Sequence, residues 1–147
     1  MKKLIRVLPM LALGGCFSSG ASTPYPLYSP AEKPLSAAQI ATLAGPIESV
    51  DGERVAKHGS TFALEPGCHQ VTNQRSWGGS DNMSAVIAHL PGLVFNVKMR
   101  AGYSYVLAIG GGAGRVAISM TEQTPNGDVT QEFEPGQSCI EGQPAEK

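Results

Sequence analysis

Apolar and polar residues alternate with a period of two along much of this chain. The alternation is clearest in three segments, at residues 94–99, 103–109 and 116–120. Successive side chains of a β-strand point to opposite faces, so each segment has one apolar face and one polar face. No long segment has helical periodicity. The pattern therefore predicts an all-β domain.

Turn signals separate the predicted strands. Asp51-Gly52 follows the short segment 46–50, and Asn126-Gly127 lies between residues 116–120 and 129–133. Asn-Gly and Asp-Gly pairs are typical of tight hairpin turns. Residues 65–67, Glu-Pro-Gly, predict a further hairpin between strands at 61–64 and 68–72. About seven short strands at this spacing indicate an antiparallel sandwich or a barrel-like sheet, and we predict a small antiparallel β-sandwich over residues 35–140, followed by a disordered tail at 141–147.

Two segments interrupt this pattern. Ser36 and Gln39 have the spacing of a helix capping box, but Gly45-Pro46 would end a helix within about two turns, so we expect either a brief helix or the approach to the first strand. The glycine-rich residues 110–115 are expected to break the strand that precedes them.

The first 15 residues have the layout of a secretory signal. Lys2, Lys3 and Arg6 precede an apolar run at residues 7–13. A membrane-spanning helix needs roughly 20 apolar residues, so this run is too short to span a bilayer. We expect residues 1–15 to be a signal peptide.

The residues after that run resemble the lipobox of bacterial lipoproteins. They read Leu13-Gly14-Gly15-Cys16, with small residues before a cysteine whose sulfur would carry a diacylglyceryl group. The resemblance implies cleavage before Cys16 and anchoring on a membrane by its lipid, because two or three acyl chains hold a protein stably. Phe17, rather than Asp, follows the cysteine, which favours the outer membrane in a cell with two membranes. Residues 16–34 contain Ser, Gly, Ala, Tyr and several prolines without periodicity, and predict a disordered tether.

Charge and cysteine content narrow the function. Residues 1–15 contain three of the 11 Lys and Arg and none of the 12 acids, so the mature chain has a net charge of 8 minus 12, or −4. Nucleic-acid binding is disfavoured, because it needs a basic excess. Cys68 and Cys139 remain after lipidation, and in an oxidising compartment one disulfide between them is the simplest pairing. A free buried Cys68 and a metal thiolate are the alternatives.

Two segments resemble the small β-sandwich domains called PEGA-like, which occur in envelope lipoproteins. The first joins Val50-Asp51-Gly52 to residues 62–71, where Leu64, Pro66-Gly67 and His69 form an L-x-P-G-x-H turn, and the second is residues 95–107. The glycine-threonine-proline stretch of PEGA repeats does not occur between Val55 and Phe62. The resemblance implies a noncatalytic envelope module and supplies no catalytic residues.

Each group of residues that could bind phosphate, bind a metal or take part in catalysis also has a purely structural interpretation. Residues 110–115 lack the Gly-Lys-Ser/Thr ending of a phosphate-binding loop, which favours a hairpin loop. Cys68, His58, His69 and His89 are the only candidate metal constellation, but neighbouring strand residues point to opposite faces, so no metal site is predicted. Ser80 lies outside any nucleophile elbow, and Glu132 and Glu134 fit a solvated strand face. We predict neither an enzyme nor a cofactor.

The leading hypothesis is a noncatalytic, membrane-anchored envelope lipoprotein that contacts envelope proteins or the cell wall. Trp77, Tyr103 and Arg115 are the candidate partner-binding residues, because long loops and aromatic side chains often form interfaces. The alternatives are a periplasmic metal-binding lipoprotein using Cys68, His58 and His69, and an inhibitor of cell-wall-degrading enzymes.

Overall fold

The fold was analysed in a computed structural model that describes residues 23–28, 35–75, 90–112 and 115–139. These residues form ten strands and a 3-10 helix at Ala56–His58. The strands are β1 (Tyr25–Pro26), β2 (Ala41–Ala44), β3 (Ile47–Val50), β4 (Glu53–Arg54), β5 (Thr61–Leu64), β6 (Gly67–Asn73), β7 (Val94–Met99), β8 (Ser104–Gly112), β9 (Arg115–Gln123) and β10 (Val129–Phe133). No helix in this part of the chain has the length and hydropathy of a membrane-spanning segment.

The strands form two sheets, which confirms the predicted all-β sandwich. One sheet has the order β1-β5-β2-β8-β9-β10, and the other has the order β4-β3-β6-β7. Most pairs are antiparallel, but β1 with β5 and β2 with β8 are parallel. One cluster of buried side chains forms the core; its largest members are Tyr105, Phe62, Phe95, Leu43, Ile47 and Leu64.

Four connections within the described residues join the two sheets and define two ends of the domain. At one end, Gly45-Pro46 leads from β2 to β3, and residues 55–60 lead from β4 to β5. At the other end, residues 65–66 lead from β5 to β6, and residues 100–103 lead from β7 to β8. We call the first the hairpin end, because β8 and β9 meet there, and the second the base. A side chain at Gly45 would overlap the carbonyl oxygen of Leu107, and its φ of 131° also favours glycine.

The predicted turns at 51–52 and 126–127 are present. Val50 pairs with Glu53 across the first turn, and the second connects β9 with β10. The hairpin predicted across residues 65–67 is wrong. There β5 belongs to the six-stranded sheet, where Phe62 pairs with Leu43 of β2. β6 belongs to the four-stranded sheet, where His69 pairs with Val97 of β7. The two strands therefore do not pair with each other. The turn residues carry the chain from one sheet to the other.

Two further segments differ from the sequence-based expectation, and a third agrees with one of its two expected outcomes. Gly110, Gly111 and Gly112 do not break β8 but pair in register with Ala117, Val116 and Arg115 of β9. Ser36 and Gln39 make the capping contact, Ser36 N–H to Gln39 Oε1 at 3.0 Å, and a turn leads into β2, which is the second of the two expected outcomes for this segment. Part of the predicted tether belongs to the sheet, because β1 pairs with β5 and the Leu27 N–H donates to the carbonyl of Ala63 at 2.9 Å. The predicted tail at 141–147 lies outside the described residues.

Candidate functional site

The predicted partner-binding residues do not form one surface. Tyr103 precedes β8 at the base, where the Arg100 guanidinium lies 3.9 Å from the centre of its ring. Arg115 begins β9 at the hairpin end and is exposed. The full length of β8 separates the two residues. Trp77 lies outside the described residues, as does Cys16.

The predicted disulfide is present between Cys68 and Cys139, whose Cα atoms are 5.9 Å apart. This bond uses the sulfur that the metal hypothesis needs. The His58 ring stacks on Tyr25 with ring centroids 3.9 Å apart, whereas His69 contacts Asp51 and Glu65. Within the described ranges, no three His, Cys, Asp or Glu side chains come together as metal ligands would. His89 and Ser80 lie outside these ranges, and Glu132 and Glu134 are exposed.

The most unusual polar residue in the described domain is a buried glutamate near the base. Glu122 lies on β9 beside Tyr105 of β8, and only 2% of its surface is exposed. Its Oε2 accepts hydrogen bonds from the Tyr105 hydroxyl at 2.7 Å and from Arg100 Nε at 3.1 Å. Its Oε1 accepts from Thr130 Oγ1 at 2.6 Å and from Arg100 Nη2. Four donors therefore surround one carboxylate.

The hydrogen bonds keep this carboxylate ionised. Burial would raise the pKa of Glu122, but the hydrogen bonds from Arg100, Thr130 and Tyr105 outweigh burial and lower that pKa below its ordinary value. Burial, reinforced by the hydrogen bond to Glu122, raises the pKa of the Tyr105 phenol. The hydrogen bond to Glu122 also raises the pKa of Arg100. At neutral pH the cluster thus contains a carboxylate, a guanidinium and a neutral phenol.

The geometry of this cluster leaves little capacity for catalysis. The Tyr105 hydroxyl accepts the backbone N–H of Arg100 at 2.7 Å while it donates to Glu122, so it has no proton to give elsewhere. Every buried side-chain nitrogen and oxygen of the described residues has a hydrogen-bond partner. The cluster ties β8, β9, β10 and the 100–103 connection together.

A second polar group lines a small cavity at the base. His69 Nδ1 lies 2.7 Å from Asp51 Oδ2, and His69 Nε2 lies 2.8 Å from the carbonyl oxygen of Glu65. Asp51 Oδ1 also accepts the backbone N–H of Gln70 at 2.8 Å. The cavity measures about 110 Å³ and is lined by Leu27, Val50, Asp51, Glu53, Leu64 and His69. Typical small-molecule sites measure roughly 300–1,000 Å³. These contacts of His69 and Asp51 stabilise the turn at residues 51–52 and the connection at residues 65–66.

Sequence reasoning missed the Glu122 cluster, although one signal was present. Ile118, Met120 and Glu122 alternate on β9, so the period of two places Glu122 on the same inward face as Met120. Arg100 and Tyr105 come from other segments, and alternation does not identify them as its partners.

Comparison of the chain with protein-family models, with curated proteins and with solved structures gave no match.

Proposed function

We propose that the protein is a lipoprotein of the bacterial envelope, anchored by lipid on Cys16, and that its β-sandwich domain acts without catalysis by contacting envelope proteins or the cell wall. The observation that carries this proposal is Leu13-Gly14-Gly15-Cys16 after a cationic and apolar start. Phe17 favours the outer membrane where the cell has two membranes.

Two features of the described domain support this proposal. The Cys68–Cys139 disulfide suits an exported protein, because disulfides persist in oxidising compartments and are rare in the cytosol. The buried Glu122 and the half-buried His69 have their polar atoms engaged within the protein, which favours action through the outer surface.

The anchor is tested by Cys16→Ser. In bacteria expressing the full chain and fed labelled palmitate, we expect label on the wild-type protein and its recovery with membranes, and neither result for Cys16→Ser. The double variant Cys68→Ser/Cys139→Ser is the matched control, because it replaces the two disulfide-bonded cysteines but leaves Cys16 in place. Acyl-labelled Cys16→Ser protein in the membrane fraction would disprove the anchor.

The noncatalytic role is tested separately with lipid-free protein starting at residue 17. We expect it to capture an envelope component in a pull-down and to turn over no substrate in a general hydrolase panel. Turnover that a single substitution such as His69→Gln abolishes in a folded protein would contradict this role.

A further inference from the structure

The direction of β1 shows from which end of the domain the chain enters this strand. β1 is parallel to β5, which runs from the hairpin end, where Thr61 pairs with Ala44, to the base, where Leu64 pairs with Ala41. Tyr25 is therefore the residue of β1 nearer the hairpin end, and the chain enters β1 from that end. Cys16 precedes Tyr25 by nine residues, which span at most about 30 Å when fully extended.

The β8–β9 hairpin extends toward the same end. β2 pairs with β8 only as far as Val106, and β10 pairs with β9 only from Met120 onward. In the described part of the chain, no other strand pairs with residues 107–112 or 115–119. Leu107 is buried and Ile109 and Ile118 pack against the core, so the residues that project beyond the neighbouring strands are 110–112 and 115–117, which we call the tip. At about 3.3 Å per residue, Gly112 lies about 23 Å beyond Tyr105, which is at the level of Tyr25. The projecting tip is thus within the reach of the residues that separate Tyr25 from Cys16.

The composition of the tip is unusual for an exposed hairpin. Residues 110–112 and 115–117 contain one charged residue, Arg115, and otherwise only Gly, Ala and Val. Val116 is 39% exposed. Soluble proteins usually protect such edges with charges, proline or a covering segment.

The described charges are distributed unequally between the two ends. Four cations lie toward the hairpin end, Arg54, Lys57, Arg75 and Arg115, with two acids, Glu134 and Glu48, of which Glu48 forms an ion pair with Arg54 at 3.1 Å. The base carries Lys98 and Arg100 with a larger set of acids, which comprises Asp51, Glu53, Glu65, Glu122, Asp128 and Glu132. The cation-rich end of an anionic protein is the end suited to a negatively charged bilayer surface.

From these observations we infer that the tip of the β8–β9 hairpin, with Arg115 and Val116, rests on the phospholipid headgroups of the membrane that holds Cys16. This inference rests on the proposed lipid anchor. The tip lies among the headgroups and not in the hydrocarbon, because the unpaired backbone groups on both edges need water or phosphate as partners. Arg115 contacts lipid phosphate, and the acidic base faces away from the membrane.

The test compares two exposed valines of the same sheet at opposite ends. Val116 is at the tip, and Val129, 61% exposed, begins β10 at the base. Each is replaced in turn by the photocrosslinker benzoylphenylalanine in the mature, lipidated chain. The proteins are reconstituted in vesicles of phosphatidylethanolamine and phosphatidylglycerol and irradiated, and lipid adducts are measured by mass spectrometry. We expect a several-fold higher adduct yield at position 116.

A matched pair of charge-reversing variants tests whether the charge of Arg115 contributes to the membrane contact. Arg115→Glu and Lys98→Glu make the same charge change at opposite ends, and we expect only Arg115→Glu to lower the adduct yield at position 116 several-fold. Equal yields at positions 116 and 129 in protein that floats with the vesicles would overturn the orientation and leave the anchor intact. Crosslinks from position 116 to a second copy of the chain would also overturn it. Absence of lipid on Cys16 by mass spectrometry would overturn the anchor and the orientation together.

Discussion

At the scale of single residues, Glu122 is the position where a charge is buried and must be compensated. A buried carboxylate without partners is strongly unfavourable, whereas one with several donors is tolerated. Here the donors come from the 100–103 connection, from β8 and from β10. The arrangement makes the folded domain depend on the ionised state of a single side chain.

We predict that Glu122→Gln lowers the free energy of unfolding at neutral pH by about 1–3 kcal/mol, because an amide replaces the charged acceptor of Arg100 and offers unwanted donors to Tyr105 and Thr130. Glu132→Gln, an exposed glutamate on the neighbouring strand, is the control and should change stability by less than about 0.5 kcal/mol. Urea unfolding followed by circular dichroism measures both variants.

The lowered pKa of Glu122 also determines a pH dependence. A carboxylate whose pKa is lower in the folded state stabilises the fold above its ordinary pKa of 4.5, and this contribution is lost as the pH falls through the folded value. The stability of the wild-type protein should therefore fall more steeply than that of Glu122→Gln when the pH is lowered from about 5 to about 3. Parallel pH profiles for the two proteins would show that Glu122 is not a stabilising carboxylate.

How well sequence reasoning performed at this scale depended on the distance between interacting residues. The Cys68–Cys139 pairing could be predicted, because only two cysteines remain after Cys16 is assigned to lipidation. The inward position of Glu122 was not predicted, although alternation along β9 with Ile118 and Met120 indicates it. Its pairing with Arg100, which is 22 residues away, depends on how the 100–103 connection folds back beside β9, and no local pattern in the sequence contains that information.

At the scale of elements, the C-terminal segment after β10 closes the open edge of β7. The backbone N–H of Gly136 donates to the carbonyl of Val94 at 2.8 Å, and Asn96 Nδ2 donates to the carbonyl of Gln137 at 2.7 Å. The disulfide then joins Cys139 to Cys68 on β6, beside Lys98 of β7. The segment thereby covers an edge that would otherwise be free to pair with another chain.

We predict that the double variant Cys68→Ala/Cys139→Ala has a free energy of unfolding lower by on the order of 4 kcal/mol, because the disulfide closes a long loop and restricts the unfolded chain. Hydrogen exchange should show faster exchange at Gly136 while the Leu107 amide in β8 stays protected. Asn96→Ala is the control, because it removes one contact of the segment but keeps the disulfide. A double variant as stable as the wild-type protein would mean that the disulfide adds nothing to the fold.

The elements themselves were predicted unevenly, and turn chemistry explains the difference. Asp51-Gly52 and Asn126-Gly127 fix tight turns locally, so the hairpins at these positions could be predicted from sequence. Glu65-Pro66-Gly67 fixes a change of direction but not the partner of the next strand. That partner is chosen by packing, because Phe62 and Leu64 are buried in one sheet and Val71 in the other.

At the scale of the whole molecule, the N-terminal segment decides how far the domain lies from its proposed anchor. The segment 16–34 was predicted to be a disordered tether, because its apolar and polar residues do not alternate. In the structure Leu27 packs against the core and lines the base cavity, and Tyr25 stacks on His58. The sheet provides these contacts through the edge of β5, which composition alone does not reveal.

This arrangement predicts that the segment is part of the folded domain. Lipid-free protein starting at residue 29 should unfold with a free energy about 1–3 kcal/mol lower than protein starting at residue 17, because it loses the β1 hydrogen bonds and the packing of Leu27. Protein starting at residue 23 retains β1 and should match the longer chain. Equal urea midpoints for the chains starting at residues 23 and 29 would show that residues 23–28 do not stabilise the domain. The segment 16–34 would then act as one long tether, and the domain could turn away from the membrane.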